Sequence, residues 1–103
     1  MNNMQQMFAR AQKLQAKVAE VQKDLELKEV SGSSGAGAVT IVMTVSGIVK
    51  SISIDKSLVN PDEKDLLEDL IIAALGDART TASKIYEAEM SAATGGLNLP
   101  GMF

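Results

Sequence analysis

The chain of 103 residues has no cysteine, no histidine and no tryptophan, and only one tyrosine and two phenylalanines. Without cysteine there is no disulfide, no thiolate zinc site and no cysteine nucleophile, which fits a reducing cytoplasm. Without histidine, the commonest general base and the commonest transition-metal ligand are both missing. Serine, threonine and Tyr86 then have no imidazole to activate them, and no lysine dyad stands in for it. The chain reads as a non-enzyme that needs no cofactor and no metal. Scarce aromatics leave little for stacking on unpaired bases. No run of 18 apolar residues is present, so nothing is expected to span a membrane. The opening segment is amphipathic and Gln-rich and lacks the apolar core of a signal peptide.

What the chain does have is a long, uninterrupted periodicity. Met4, Met7, Ala11, Leu14, Val18, Val21 and Leu25 follow one another at intervals of 3, 4, 3, 4, 3 and 4. That is a heptad a/d register, the signature of a coiled-coil seam. No proline or glycine falls between Asn2 and Lys28, so residues 2–28 read as one helix roughly 40 Å long. A domain this small has little with which to cover such a helix, and part of it is expected to project and find a partner.

Residues 29–55 read as β structure. Val39, Ile41, Met43 and Val45 alternate, and Ser46-Gly47 suggests a two-residue hairpin turn. A second strand follows, with Ile48, Ile52 and Ile54 on one side and Lys50 interrupting the stripe. Leu27–Ser31 adds an edge strand through the linker Gly32–Gly37, completing a three-stranded antiparallel meander. That linker is no phosphate loop, because no Lys-Ser/Thr follows and a strand comes where a helix should open. Residues 61–94 form the second helix: Asn60 is a candidate N-cap, Pro61 sits at the first turn, and Gly95-Gly96 stops it. Leu66, Leu67, Leu70, Ile71, Ile72 and Leu75 should pack on the sheet. Ile71, Ala74, Ala78, Thr81, Ile85, Ala88 and Ala92 form a second 3/4 stripe of mostly small residues, suited to lying along the first helix or a second copy of it. Gly76 marks a kink or a tight contact within it. Asp62, Glu63, Asp65, Glu68 and Asp69 spread around the first turns, where they favour the helix dipole rather than a metal. Residues 95–103 read as a tail. The fold class is therefore α+β, in the order α-βββ-α, as one domain over 1–103.

The net charge of −3 hides a gradient. Residues 1–19 carry +3, residues 20–29 carry −2, residues 30–61 carry +1 and residues 62–103 carry −5. With Met4 at heptad position a, Arg10 and Lys17 fall at g and Lys13 at c, so all three share one flank. Gln5, Gln12, Gln15 and Gln22 line the other. Cations and amides in that pattern suit backbone-dominated contact with duplex DNA. A solvated charged face is the plainer reading of the same pattern. Because the flank continues as Glu20 and Asp24, the cations also suit antiparallel pairing with another helix. The stripe alone does not choose among the three.

Taken together, these residues resemble the YbaB/EbfC family of bacterial nucleoid-associated proteins over nearly the whole chain. The pieces are Met4-Gln5-Gln6-Met7 through Lys13-Leu14-Gln15, and Val30-Ser31-Gly32 with Gly35-Ala36-Gly37-Ala38-Val39. Next come Val45-Ser46-Gly47, Ile54-Asp55 with Ser57-Leu58, and Leu66-Leu67-Glu68-Asp69-Leu70-Ile71. Met90, Thr94-Gly95-Gly96-Leu97 and Leu99-Pro100-Gly101-Met102 close the match. The resemblance implies a tweezer-like homodimer in the cytoplasm and nucleoid, with paired sheets as its body and long helices as its arms. It implies binding of double-stranded DNA with low sequence specificity and a bearing on nucleoid organisation or gene expression. It makes Arg10, Lys13 and Lys17 the DNA-facing cations; Arg79 and Lys84 on the second helix are weaker candidates of our own reading. Recombination and replication proteins are the implied protein partners. A helix-mediated adaptor for those partners, touching DNA little, is the alternative. Departures at Gly76, Thr80-Thr81, Thr40 and Thr44 remove charge or a polar contact and predict weaker binding than in a typical member.

Overall fold

The computed structural model describes residues 3–95. Helix α1 spans Asn3–Leu27, strands β1, β2 and β3 span Glu29–Ser34, Val39–Thr44 and Val49–Ile54, and helix α2 spans Lys64–Ala93. The sheet is antiparallel in the order β1-β2-β3. The order α-βββ-α is the one read from the sequence. The tail expected over residues 95–103 lies outside the described residues except for Gly95.

The core is built where α2 crosses β1 and β2. Val39, Ile41 and Met43 point to one side of β2 and are almost wholly buried. Val39, Ile41 and Ala74 pack with Leu67, Leu70, Ile71 and Leu75, while Met43 and Val30 join Ala78, Ala82 and Met90. Burial of each such aliphatic side chain contributes about 1.5–3 kcal/mol.

Gly32 is a strand residue rather than part of a linker, and its packing says why. A Cβ there would lie 2.5 Å from the Ala74 carbonyl oxygen and closer still to the Ala78 amide nitrogen. Only glycine lets β1 come this near the backbone of α2. Two hydrogen bonds fix the same crossing: Ser33 N–H donates to Asp77 Oδ2 at 3.0 Å, and the Ser34 hydroxyl donates to the Leu70 carbonyl.

The β2–β3 connection also differs from the two-residue turn expected. Thr44 N–H donates to the Ile48 carbonyl at 2.8 Å and Gly47 N–H to the Thr44 carbonyl at 3.0 Å. Gly47 has φ +103°, whereas Ser46 keeps a negative φ. The loop is therefore Val45–Gly47, a tight turn closed by a glycine in the left-handed region. Thr44 Oγ1 accepts from Ile48 N–H and pairs with the Ser46 hydroxyl, which satisfies a buried polar side chain.

Further expectations, all on α2, need correction. Pro61–Glu63 forms a separate 3-10 turn, with Asn60 Oδ1 accepting from Asp62 N–H at 3.0 Å, and the α-helix starts at Lys64. On α2, Leu66 and Ile72 stay exposed, and the buried line runs Ala74, Ala78, Ala82, Met90, Ala93 in place of the 3/4 stripe through Thr81, Ile85, Ala88 and Ala92. Rows of residues four apart are inclined to the helix axis, so the buried face turns as α2 passes from the sheet to α1. Gly76 meets nothing within 4 Å, so it marks no tight contact. Asp55 Oδ1 accepts from both the N–H and the hydroxyl of Ser57, and these bonds, the backbone one first, lower its carboxyl pKa.

Candidate nucleic-acid interface

β1 runs against α2: Ser34 meets Leu70, Gly32 meets Ala74 and Ala78, and Val30 reaches the cluster of Ala82. The base of α1, entering β1 with only Lys28 between them, therefore meets the C-terminal half of α2, and the two helices overlap antiparallel. Val18 and Leu25 are buried in that overlap, and Leu14, Val21, Ile85 and Tyr86 pack at its margin. Lys28 Nζ lies 3.6 Å from Glu89 Oε1 across it. The molecule is 74 Å long, whereas a helix of 30 residues accounts for about 45 Å. Part of the remainder is the outer end of α1, Asn3–Lys13, about 16 Å of helix beyond the residues that pack on α2.

Every residue from Asn3 to Lys13 is exposed. The projection carries Arg10 and Lys13, and Lys17 sits on the exposed flank at its root. Arg10 and Lys17 are about 10 Å apart along the axis and nearly in line, with Lys13 about 60° to the side. Among the described residues the ion pairs are Lys28–Glu89 and Lys64–Glu68, so none of these three cations is paired with a carboxylate. They form an unneutralised basic edge, with Glu20 and Asp24 following only where α1 meets the body.

Arg79 and Lys84 are exposed but lie on the body of the molecule. Five positions apart on a helix, they diverge by about 140°. They share no face with each other, and Arg79 follows Ala78 at the level of the sheet, away from the arm. The structure gathers Arg10, Lys13 and Lys17 and leaves the other two apart.

The heptad reading missed Phe8, which falls at an e position. It is 69% exposed beside Met4 at 78% and Met7 at 67%, and with Ala11 these residues line an open apolar concavity. An aromatic next to two seam methionines was the signal available. Among the described residues no group of three acidic side chains comes together to hold a metal, and no helix is long and apolar enough to cross a membrane.

A model of the YbaB/EbfC DNA-binding family matches residues 1–97. The chain is 46% identical over 100 residues to a nucleoid-associated protein of Rhodospirillum rubrum, covering 97% of this chain and 94% of that one. It is 49% identical over 94 residues to a nucleoid-associated protein of Nitrobacter hamburgensis, covering 91% and 89%. The crystal structure of uncharacterized protein HP0035 from Helicobacter pylori matches with a TM-score of 0.71 at 17% identity, over 82% of this chain and 88% of that one, a likeness of fold alone. An unpaired basic arm on an α-βββ-α body, and this agreement along the whole sequence, converge: the chain belongs to the YbaB/EbfC DNA-binding family, a non-enzymatic class.

Proposed function

We propose that this protein binds duplex DNA in the bacterial nucleoid through the basic flank of α1, as a homodimer and with low sequence specificity. The observation that carries this reading is the acid-free, exposed flank of Arg10, Lys13 and Lys17 on a helix that leaves its own domain. These side chains end in ammonium and guanidinium groups suited to phosphate oxygens. Contacts of that kind position a protein on the duplex and carry no base information. An acidic body does not prevent this, because the local potential at the arm governs encounter. Arg79 and Lys84 have at most a secondary part, given their separate faces.

A homodimer is supported by the edge of the sheet. Ile52 pairs with Ile41 and Ile54 with Val39, so they share the face that α2 covers over β1 and β2. Yet Ile52 is 50% exposed, and Ile48, Val49 and Ile72 are exposed as well. An uncovered apolar edge strand is a pairing surface. Two bodies joined there would carry two arms, so about six cations would meet one duplex.

A mobility shift with R10A/K13A/K17A tests the assignment, alongside sedimentation of the unmodified protein. The parent retards unrelated duplexes and sediments as a dimer, and the variant loses retardation while remaining a dimer. Unchanged binding by the variant would remove these residues from the interface. The adaptor reading draws on the apolar concavity at Met4, Met7, Phe8 and Ala11. Protein partners that survive nuclease treatment, without DNA retardation, would favour it.

A further inference from the structure

The seam of α1 changes character along its length. Its inner residues Leu14, Val18, Val21 and Leu25 pack on the body. Its outer residues Met4, Met7 and Ala11 are exposed and, with Phe8, line an open apolar concavity. The inner set is branched aliphatic and meets one fixed partner. The outer set is two methionines, which adapt to an uneven surface, and an alanine, which leaves room for one. At about 100° per residue, Arg10 and Lys17 stand about 90–115° to one side of the Met4–Met7–Ala11 line, with Lys13 further round. Gln15 and Gln12 stand about 50–110° to the other side. All of these polar side chains are exposed, and residues 3–19 hold no acid. The outer arm thus presents a cationic edge, an apolar centre and an amide edge.

That cross-section matches the major groove of a duplex. The groove is about 12 Å wide and admits a helix with its side chains. Phosphates run along both of its walls, and amides as well as cations can bond them. The apolar groups on its floor are the C5-methyls of thymine. We propose that the outer arm lies in the major groove with Met4, Met7, Phe8 and Ala11 against thymine methyls. Arg10 and Lys17 then meet one phosphate wall, and Gln12 and Gln15 the other. The inference rests on the reading of α1 as a DNA-binding arm and adds the face that meets the bases.

Charge favours this occupant over a second copy of the arm. A second arm on the bare seam brings another Arg10, Lys13 and Lys17 beside the first, and like charges repel. It has no acid to offer in return, because residues 3–19 hold none. A duplex supplies phosphates to both edges at once. Contact with methyl groups favours A·T pairs without a fixed hydrogen-bond pattern, which accords with low sequence specificity.

Two duplexes of one A·T-rich sequence, one with thymine and one with uracil throughout, carry the same phosphates and differ in the C5-methyl. The parent should bind the thymine duplex about fourfold more tightly for each methyl covered, with the same salt slope for both. M7A/F8A replaces two exposed side chains with a good helix former. It should keep that slope and bind the two duplexes equally. Equal affinity of the parent for both duplexes would overturn this inference while leaving phosphate binding by the arm intact. So would a methyl preference that persists in M7A/F8A, or a change of oligomeric state in that variant on sedimentation, which would give the seam to a second copy. Failure of the parent to retard either duplex would instead remove the DNA reading itself, and this inference with it.

Discussion

The outer and inner halves of α1 share one helix and one heptad register but live in different surroundings. In the inner half, Val18 and Leu25 are buried against α2, and Leu14 and Val21 pack beside them. In the outer half, every residue to Lys13 is exposed, although Met4, Met7 and Ala11 continue the same register. Periodicity therefore locates a seam without saying how much of it is covered. Coverage is set by topology: α2 starts at the far end of the sheet and ends at Ala93, well before α1 does. The outer half is too short to hold a helix in water alone, since isolated helices below about 12–15 residues are marginal. Its helicity is propagated from the packed half, and its glutamines, methionines, alanines, lysine and arginine are good helix formers. The inner half supplies the rigidity; the outer half supplies the charge.

This contrast can be broken from either side. The largest effect is expected at Gly32, which lets β1 touch α2. G32A places a methyl group inside the α2 backbone contact and should cost about 3 kcal/mol or more, enough to abolish a cooperative thermal transition in calorimetry. Truncating Met90, which is 1% exposed under the inner half of α1, should follow. M90A is expected to lower the stability measured by urea denaturation by about 2–5 kcal/mol. The smallest effect belongs to the outer half. R10A/K13A/K17A removes only exposed side chains and replaces them with the best helix former, so stability should stay within about 1 kcal/mol of the parent. A large loss there would mean that the outer half is part of the folded core.

Much of this architecture was legible in the sequence because local rules and the global fold agree. The heptad residues, the alternation in β2, Asn60 with Pro61, and Gly95 each place an element or its end. The misreadings have a common cause. Gly32 looks like linker because its role is a contact with a helix more than 40 residues away. The buried line of α2 changes azimuth because it meets a sheet first and a helix second, which no single period describes. Ser46-Gly47 suggests a two-residue turn, but Thr44 offers its own hydroxyl to Ile48 and a longer loop results. For the candidate site, the clustering of Arg10, Lys13 and Lys17 was visible as heptad positions, and their common flank in the structure follows directly. The separation of Arg79 from Lys84 was readable too, from their five-residue spacing. The exposure of Phe8 and its neighbours was not, because it depends on where α2 stops.

The central claim is that a duplex is held by phosphate contacts from the outer flank of α1. Affinity for two unrelated duplexes, measured across a salt series, tests it most directly. For about six phosphates neutralised per dimer, log K should fall against log salt with a slope of about −5, alike for both duplexes. R10A/K13A/K17A should flatten that slope towards zero. A slope unchanged in the variant, or parent affinity indifferent to salt, would contradict the account.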